Sequence, residues 1–500
     1  MFNLRGDQRT NGELSRKEGG KIFGSGSRTP ISITVLVKNP KSTGKCNIFY
    51  KEVGDYLSRE EKLELLKKYG SILNPEMKLT SITPNEDGDW INQRNEAFQN
   101  FIPIAPEKKF DEKSKSFFTT YAIGLVSNRD SWVYNYSKVE LEKNVKKMVD
   151  FYNKQVAEYK IALRNNPDTK IDEIIEYSAT KISWTRALKN SFQKKVEYSY
   201  NPNVVEEAFY RPFCKQNLYN DKFLIEMPGL SKKLFPTPQS KNLVICIQGI
   251  GSNKEFSVLL VNHVPDLQLQ FNGQCFPLYW YEEKENSQGT LFDSTEQDHT
   301  RHEAISDFIL QRCRIEYGPR VTKEDIFYYV YGLLHSPIYK ETFSADLKKM
   351  LPRIPLVKDF WEFSKAGREL ADIHLNYENQ PVLKDLEIQK TGENFKVDKI
   401  RFPKKEEKET IIYNSNISIH NIPLEAYNYV VNGKSPIEWI MERYQVKIDE
   451  KSNIENNPNL WCKENGNDKY IFNLLLSVIT MSVVTLKIVK NLPNITEELG

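Results

Sequence analysis

The stretch GGKIFGSGSRTP, residues 19–30, runs directly into the apolar stretch ISITVLV, residues 31–37. Backbone amides that glycine leaves accessible can surround an oxyanion, so this loop could hold a phosphate. Nucleotide-binding loops need GxxxxGK[ST] or GxGxxG between a strand and a helix, whereas this loop offers one GxG, at Gly24 and Gly26. The β-branched run that follows predicts a buried strand. The pattern therefore predicts a loop that enters a strand, and a plain surface loop is the alternative to a phosphate cradle.

Arginine and lysine are dense in this loop and in the residues that precede it, and acidic residues are few there. Such a run suits the sugar-phosphate backbone of a nucleic acid better than a single nucleotide. A solvated charged loop would show the same composition. The candidate contacts to a nucleic-acid backbone are Arg5, Arg9, Arg16, Lys17, Lys21 and Arg28.

The whole chain of 500 residues has room for about three domains. Apolar residues make up 39% of it and aromatic residues 12%, which is enough to fill cores. A net charge of +3 permits DNA binding through a local patch without requiring it. The six cysteines include no CxxC pair, which argues against a zinc ribbon or a secreted disulfide framework and predicts a reducing cytoplasm.

One segment, residues 470–489, is nearly long and apolar enough to span a membrane. Asn473, Ser477, Thr480 and Lys487 recur in it at helical spacing and form a narrow polar stripe. The pattern therefore predicts a largely buried amphipathic helix, with a transmembrane span as the alternative. The polar, cationic N-terminus predicts no signal peptide.

Local patterns predict helices and strands along the rest of the chain. Strands are expected at 242–251, 256–265 and 274–283, and as a hairpin over 117–137 around the turn Ser127–Asp130. The chain is expected to turn helical from about residue 296. Individual helices are expected at 58–70, at 138–163, at 325–339 with a stop at Ser336-Pro337, at 344–351 with a Ser344 cap, and as a pair within 422–446.

The run NLRGDQRTNGELSRKEGGKIFGSGSRTPISITVLVKNP, residues 3–40, closely resembles the end of the methyltransferase domain in Type ISP restriction-modification enzymes. Five later motifs resemble the C-terminal specificity domain of the same enzymes, in the same order. They are EAFYRPFCKQNLYND, VICIQGIGSNKEFSVLL, QCFPLYWYE, YVYGLLHSPIYKETFSADLKKMLPRIPL and IPLEAYNYVVNGKSPIEWIMERYQV. The resemblance weakens over about 380–415 and after 490.

The resemblance implies an α+β fold in three parts. These are a methyltransferase tail with remnant strands over 1–57, a mixed-sheet specificity domain over 58–355, and a largely helical part over 356–500. It implies that the chain recognises double-stranded DNA and presents a target adenine to a methyltransferase core. The methyltransferase, helicase and nuclease half is an expected partner as a separate chain, and no membrane is expected.

Asn-Pro occurs five times but never as Asn-Pro-Pro, the adenine-holding motif of such methyltransferases, and the cofactor loop and Walker motif are absent. S-adenosylmethionine, ATP and Mg²⁺ are therefore expected only in the complete enzyme. Methyl transfer by this chain alone is not predicted.

Amides and a guanidinium on predicted turns are the candidate contacts to DNA bases, because these groups match the edges of adenine and guanine. Each could equally be an ordinary turn residue. The candidates are Asn128, Arg129 and Asn135 in the predicted hairpin, and Gln248, Ser252 and Asn253 at the predicted turn GIGSNK, residues 249–254.

Two alternatives to DNA recognition remain open. Asp266, Glu282 and Lys284 match the PD…ExK string of metal-dependent nucleases, although so degenerate a string is expected by chance in a chain with 27% charged residues. A structural or interaction protein without a DNA role is the second alternative. Apart from that string, no metal site is predicted.

Overall fold

The computed structural model describes residues 1–9, 12–24, 27–41, 43–44, 46–284 and 299–499. Gly26, half of the GxG, lies outside the described residues. Helices and several small sheets are mixed, so the predicted α+β class is confirmed. The chain forms two compact units. The first contains residues 1–100, 250–256 and 341–352, and the second contains 101–249, 257–340 and 353–500. The three-part division expected from the resemblance stays a prediction.

The first unit is built on a small four-stranded sheet and one well-capped helix. The helix Arg59–Tyr69 begins at a capping box in which Ser58 and Glu61 bond each other's backbone amides, as the predicted Ser cap requires. It packs near a core of Phe2, Leu4, Ile22, Val53 and Met77. The strands lie in the order Ser32–Ile33, Phe2–Asn3, Ile48–Glu52 and Thr80–Ile82. The remaining helices are Gly12–Glu18 and Asp346–Lys349, with 3-10 turns at Pro75–Met77 and Glu96–Asn100.

The predicted buried strand over 31–37 is wrong in its length and its burial. Only Ser32–Ile33 pairs, antiparallel to Phe2–Asn3, and Ile33 stands opposite Phe2. Beyond Ile33 the described backbone has no ladder, and the side chains of Leu36 and Val37 are 86% and 84% exposed. An apolar run of this composition predicts a buried strand, but composition cannot show that the neighbouring strand supplies only two residues for pairing.

This exposed apolar run borders a groove of about 520 Å³ in the first unit. Its walls are mostly hydrophobic and include Phe2, Val35, Phe49, Tyr69 and Trp90. Exposed apolar side chains, including Val35, Leu36 and Val37, are thus gathered along one groove.

The second unit contains the remaining sheets, each small. One has the order Val258–Val261, Val244–Ile247, Gln274–Pro277 and Ala122–Ile123. Another has the order Val264–Pro265, Val205–Arg211, Cys214–Tyr219 and Tyr134–Asn135. The predicted strands at 242–251, 256–265 and 274–283 are thus confirmed. The further pairings are Tyr279–Glu283 with His299–Glu303, Arg353–Ile354 with Ile102–Pro103, Lys447–Ile448 with Glu455–Asn456, and Ile417–His420 between Glu387–Lys390 and Ile411–Ile412.

Two local predictions in this unit are wrong because distant strands compete for the same residues. The expected hairpin over 117–137 does not form, since Ala122–Ile123 and Tyr134–Asn135 join different sheets with the helix Asp130–Val133 between them. The helical stretch expected from about 296 is wrong over 299–303, where the strand His299–Glu303 forms, and residues 296–298 lie outside the described residues. There Trp280 faces His302 and the two rings stack at 4.1 Å.

Long helices cover these sheets, and most follow the sequence pattern. The predicted helix at 138–163 is Lys138–Asn165, and that at 325–339 is Lys323–His335, which ends at Ser336. The Ser344 cap is wrong, because Ala345 precedes Asp346–Lys349. Within 422–446 the pair is the 3-10 turn Leu424–Tyr427 and the helix Pro436–Arg443. The other helices are Arg186–Gln193, Ser231–Leu234, Asp307–Tyr317, Pro337–Thr342, Phe360–Leu375, Pro458–Glu464 and Tyr470–Lys490.

Helices Lys323–His335 and Phe360–Leu375 cross at a pair of glycines. A Cβ on Gly332 would lie 2.3 Å from the carbonyl oxygen of Phe363. A Cβ on Gly367 would lie 1.9 Å from the carbonyl oxygen of Tyr328. The two backbones therefore touch, and this contact fixes the helical layer of the second unit.

The C-terminal helix Tyr470–Lys490 is long and apolar enough to cross a membrane, and 72% of its apolar window is buried within the protein. Two residues of its polar stripe, Ser477 and Thr480, are buried and dock on one segment of chain, while Asn473 and Lys487 are exposed. Ser477 Oγ donates to Tyr377 O at 2.7 Å, and Thr480 Oγ1 donates to Pro381 O at 2.7 Å. The prediction of a largely buried helix fits this packing, because these buried hydroxyls are satisfied inside the fold.

Candidate nucleic-acid interface

The glycine-rich cationic segment forms a fixed loop in the first unit. Lys62 is fully buried beneath it, and its ammonium donates to Glu18 O at 2.7 Å and to Gly20 O at 2.8 Å. Glu18 in turn accepts the backbone amides of Gly6 and Asp7, both at 2.9 Å, through Oε2. A Cβ on Gly20 would lie 2.3 Å from the amide nitrogen of Arg59, so glycine is required there for close approach.

We expect Lys62→Met to lower the free energy of unfolding of the first unit by about 1–3 kcal/mol, because the half-buried carbonyls of Glu18 and Gly20 lose their donor. Hydrogen exchange should also accelerate at the backbone amides of Gly6 and Asp7, because both donate to Glu18, whose own carbonyl is held by Lys62. Lys67→Met, on an exposed position of the same helix, is the matched control and should change neither quantity. Unchanged exchange in Lys62→Met would show that Lys62 does not hold the loop.

The six candidate phosphate-contacting cations lie in different environments. Arg5 is 21% exposed and forms ion pairs with Glu52, at 2.5 Å, and with Asp55. Arg16, Lys17 and Arg28 are exposed, Lys21 is half-buried, and the Arg9 side chain is 51% exposed beside Asp7. The backbone amide of Gln8 donates to Arg28 O at 2.9 Å, so Arg28 adjoins the turn that carries Arg9.

The turn at 250–256 belongs to the same unit as this loop. Gly251 N donates to Lys348 O at 2.9 Å, and Ser252 Oγ accepts Lys254 N at 3.1 Å, which makes Ser252 a buried turn-former. The half-buried Asn253 hydrogen-bonds to the carboxylate of Asp7. The structure thus brings one base-contact candidate, Asn253, next to the cationic loop, which the sequence could not indicate.

The other candidate base contacts lie in the second unit, and three of them are internal. Arg129 is 4% exposed and donates to Thr185 Oγ1 at 2.5 Å, and burial lowers its pKa to about 10. The buried Asn135 donates to Glu455 O at 3.0 Å, and Gln248 is buried near Ser257. Asn128 is exposed, with φ at +53°. Base contact by these residues stays a prediction, and Asn128 is the one whose side chain faces solvent.

The residues of the PD…ExK string are held by different contacts. Asp266 is buried and accepts Arg211 Nη1 at 2.8 Å, Gln268 N at 2.8 Å and the Tyr134 hydroxyl at 3.2 Å. Burial raises the pKa of Asp266 to about 7, against the lowering effect of Arg211. Glu282 and Lys284 are exposed, and Glu282 lies 3.4 Å from His302 Nε2. Among the described residues, no cluster of His, Cys, Asp and Glu side chains is suited to a metal ion.

Sequence reasoning missed the cluster around Arg211, although it lies in the quoted motif EAFYRPF. Its guanidinium lies 3.8 Å from the Tyr210 ring centre and also contacts Asp130 at 3.3 Å. Asp130 and Tyr210 line a groove of about 500 Å³ with Lys447 and Lys451. No local pattern brings these residues together, so only the tertiary fold reveals the groove.

The model of the Type ISP C-terminal specificity domain matches residues 116–474. A nuclease-deletion mutant of the Type ISP restriction-modification enzyme LlaGI, in complex with a DNA substrate mimic, is 41% identical over 99% of this chain, with a TM-score of 0.85. The ATP-dependent Type ISP enzyme LlaBIII bound to DNA is 38% identical over 99% of this chain, also with a TM-score of 0.85.

A third structure, the DrdV–DNA complex, is 25% identical over 98% of this chain, with a TM-score of 0.80. The chain spans 43%, 30% and 47% of the lengths of these three proteins. Comparison with curated protein sequences finds no match.

Proposed function

Because this chain belongs to the Type ISP C-terminal specificity domain family, we propose that it recognises a specific sequence in double-stranded DNA as the specificity part of a restriction-modification enzyme. The observation that carries this proposal is the family match over residues 116–474. The similar LlaGI and LlaBIII structures contain a DNA substrate mimic and DNA, respectively.

The proposed partner is double-stranded DNA, in the cytoplasm. The chain would present a target adenine to a methyltransferase core, which must extrude the base from the stack to reach its amine. S-adenosylmethionine, ATP and Mg²⁺ would serve the methyltransferase, motor and nuclease parts of the complete enzyme. The cofactor loop, the Asn-Pro-Pro motif and the Walker motif of such enzymes do not occur in this sequence. The cationic loop of the first unit supplies candidate phosphate contacts, in keeping with a remnant of the methyltransferase domain.

The experiment is selection of duplexes from a random DNA library by the purified chain at two salt concentrations, followed by sequencing. We expect one short motif to be enriched at both concentrations, because base contacts discriminate sequences while phosphate contacts do not. Affinity should still fall with salt, since bound cations release counterions from the DNA. A Lys17→Ala/Arg28→Ala variant should enrich the same motif with lower affinity and a smaller salt slope.

Binding that is uniform over sequences and vanishes with salt would contradict sequence recognition. It would leave only a cationic surface that touches phosphates. Cleavage of the library in Mg²⁺ would instead revive the nuclease alternative, for which the structure offers no supporting observation.

A further inference from the structure

A buried carboxylate fixes the orientation of Arg9, an exposed cation of the loop. Arg9 Nε donates to Asp7 Oδ1 and Arg9 Nη2 donates to Asp7 Oδ2, both at 2.9 Å. The Asp7 side chain is 10% exposed, while the Arg9 side chain is 51% exposed. Asp7 is itself fixed, since its backbone amide donates to Glu18 Oε2. The guanidinium is therefore held along one edge and open to solvent along the rest.

This pairing leaves a defined set of donors. A guanidinium carries five N–H groups, and Asp7 accepts two of them. The two on Nη1 and the second on Nη2 point away from the carboxylate. Two parallel N–H groups, one from each terminal nitrogen, are the fork that fits the O6 and N7 acceptors of guanine.

The neighbouring charge decides between a phosphate and a base as the ligand of this fork. A phosphate brought to Arg9 would also approach the Asp7 carboxylate and meet repulsion from a like charge. The O6 and N7 atoms of guanine are neutral acceptors and do not meet that penalty. Although burial acts to raise the pKa of Asp7, the hydrogen bonds from Arg9 bring it below its usual value, so the carboxylate stays charged at neutral pH.

The same carboxylate holds a second group that can contact a base. Asn253 interacts with the Asp7 carboxylate and helps to lower its pKa. Its amide offers a donor pattern for a base that differs from that of a guanidinium. Lys17 and Arg28 are exposed on the same unit and remain candidate phosphate contacts.

We propose that Arg9 is a base-reading arginine that contacts one guanine of the recognised sequence, and that Asp7 is the residue that positions it. This inference rests on the proposed function and assigns Arg9 a different role from the backbone contact expected from sequence. Arg9, Asp7 and Asn253 all belong to the first unit. Asp7 and Arg9 lie outside the residues that match the specificity-domain model, whereas Asn253 lies within them.

The test uses the motif enriched by the wild-type chain and duplexes in which each G·C pair of that motif is replaced in turn. Wild-type protein should lose roughly 5- to 150-fold in affinity at one such position through Arg9. Arg9→Lys should lose the preference at that position alone, because an ammonium held by Asp7 has no planar fork. Arg28→Lys is the matched control and should keep every preference, because lysine still binds a phosphate as a point charge.

The role of Asp7 is tested by Asp7→Asn in the same assay. It should relax the preference at the same single position, because the guanidinium is then free to turn. A purely structural role would weaken binding equally at all positions. Thermal unfolding of the variant reports whether the loop still folds.

Three outcomes overturn the inference. An Arg9→Lys protein that keeps all preferences removes Arg9 from base recognition while leaving the proposed function intact. Equal weakening of all sequences by Arg9→Lys and Arg9→Ala, with a salt slope lower by about 1 in the alanine variant, makes Arg9 a phosphate contact. A wild-type chain that enriches no motif contradicts the proposed function, and this inference with it.

Discussion

Gly367→Ala is expected to lower the free energy of unfolding of the second unit by about 3 kcal/mol. The added Cβ would lie 1.9 Å from the carbonyl oxygen of Tyr328 and 3.0 Å from the amide nitrogen of Gly332. Both atoms belong to backbone inside a helix, so neither can move aside as a flexible side chain could. Helices Lys323–His335 and Phe360–Leu375 would have to separate, and their buried contacts would loosen together.

Intrinsic helix propensity predicts the opposite sign for this substitution. Alanine is favoured over glycine by about 1 kcal/mol within a helix, so the isolated helix would be stabilised. Urea unfolding followed by circular dichroism therefore decides between propensity and packing. Gly54→Ala is the matched control, because its Cβ would meet nothing closer than Leu57 Cδ1 at 4.0 Å. A Gly367→Ala protein as stable as the wild type would mean that the crossing can widen without cost.

Asp266→Ala is the second substitution with a large expected effect, a loss of about 3–5 kcal/mol in the stability of the second unit. Asp266 is 4% exposed, and its carboxylate accepts hydrogen bonds from Arg211, the Tyr134 hydroxyl and the backbone amide of Gln268. Removing it leaves the largely enclosed Arg211 guanidinium without its closest carboxylate, with the longer contact to Asp130 and the contacts to Tyr210 remaining. Thermal and urea unfolding measure the loss.

Glu282→Ala separates this structural account from the nuclease alternative. The Glu282 side chain is 60% exposed on a hairpin, so its removal should change stability by less than about 0.5 kcal/mol. If Asp266 and Glu282 held a catalytic metal, both variants would abolish Mg²⁺-dependent cleavage and both would stay folded. We expect instead that Asp266→Ala unfolds readily and that Glu282→Ala behaves like the wild type.

Features set by neighbouring residues were predictable from the sequence. The capping box of Ser58 and Glu61, and the apolar spacing that predicts the long helix from Lys138, depend on residues no more than one or two helical turns apart. The apolar strands of the middle region were found for the same reason. The run at 31–37 was misjudged because its exposure depends on how many paired residues the adjacent strand supplies.

The candidate site was predictable only in part. Cationic composition identified the loop, but it could not show that Arg5 is held by Glu52 while Arg9 stays half exposed. Asp7 was never singled out, because its importance comes from contacts with Glu18 and Asn253, the second of which lies far along the chain. Arg129 and Asn135 carry groups that suit bases. Only the fold shows that both side chains are buried and that each donates a hydrogen bond inside the protein, to Thr185 and to Glu455 O respectively.

The position of Cys46 allows binding of a partner at the exposed apolar groove to be measured. Cys46 is the exposed member of the six cysteines, all of which are free, and it borders the groove beside Val37. Burial shields the other five thiols and raises the pKa of Cys214 and Cys246 among them. A maleimide dye should therefore attach at one place without any engineered cysteine. An environment-sensitive dye there would brighten whenever another polypeptide covers the groove, which turns assembly with further domains into a fluorescence titration.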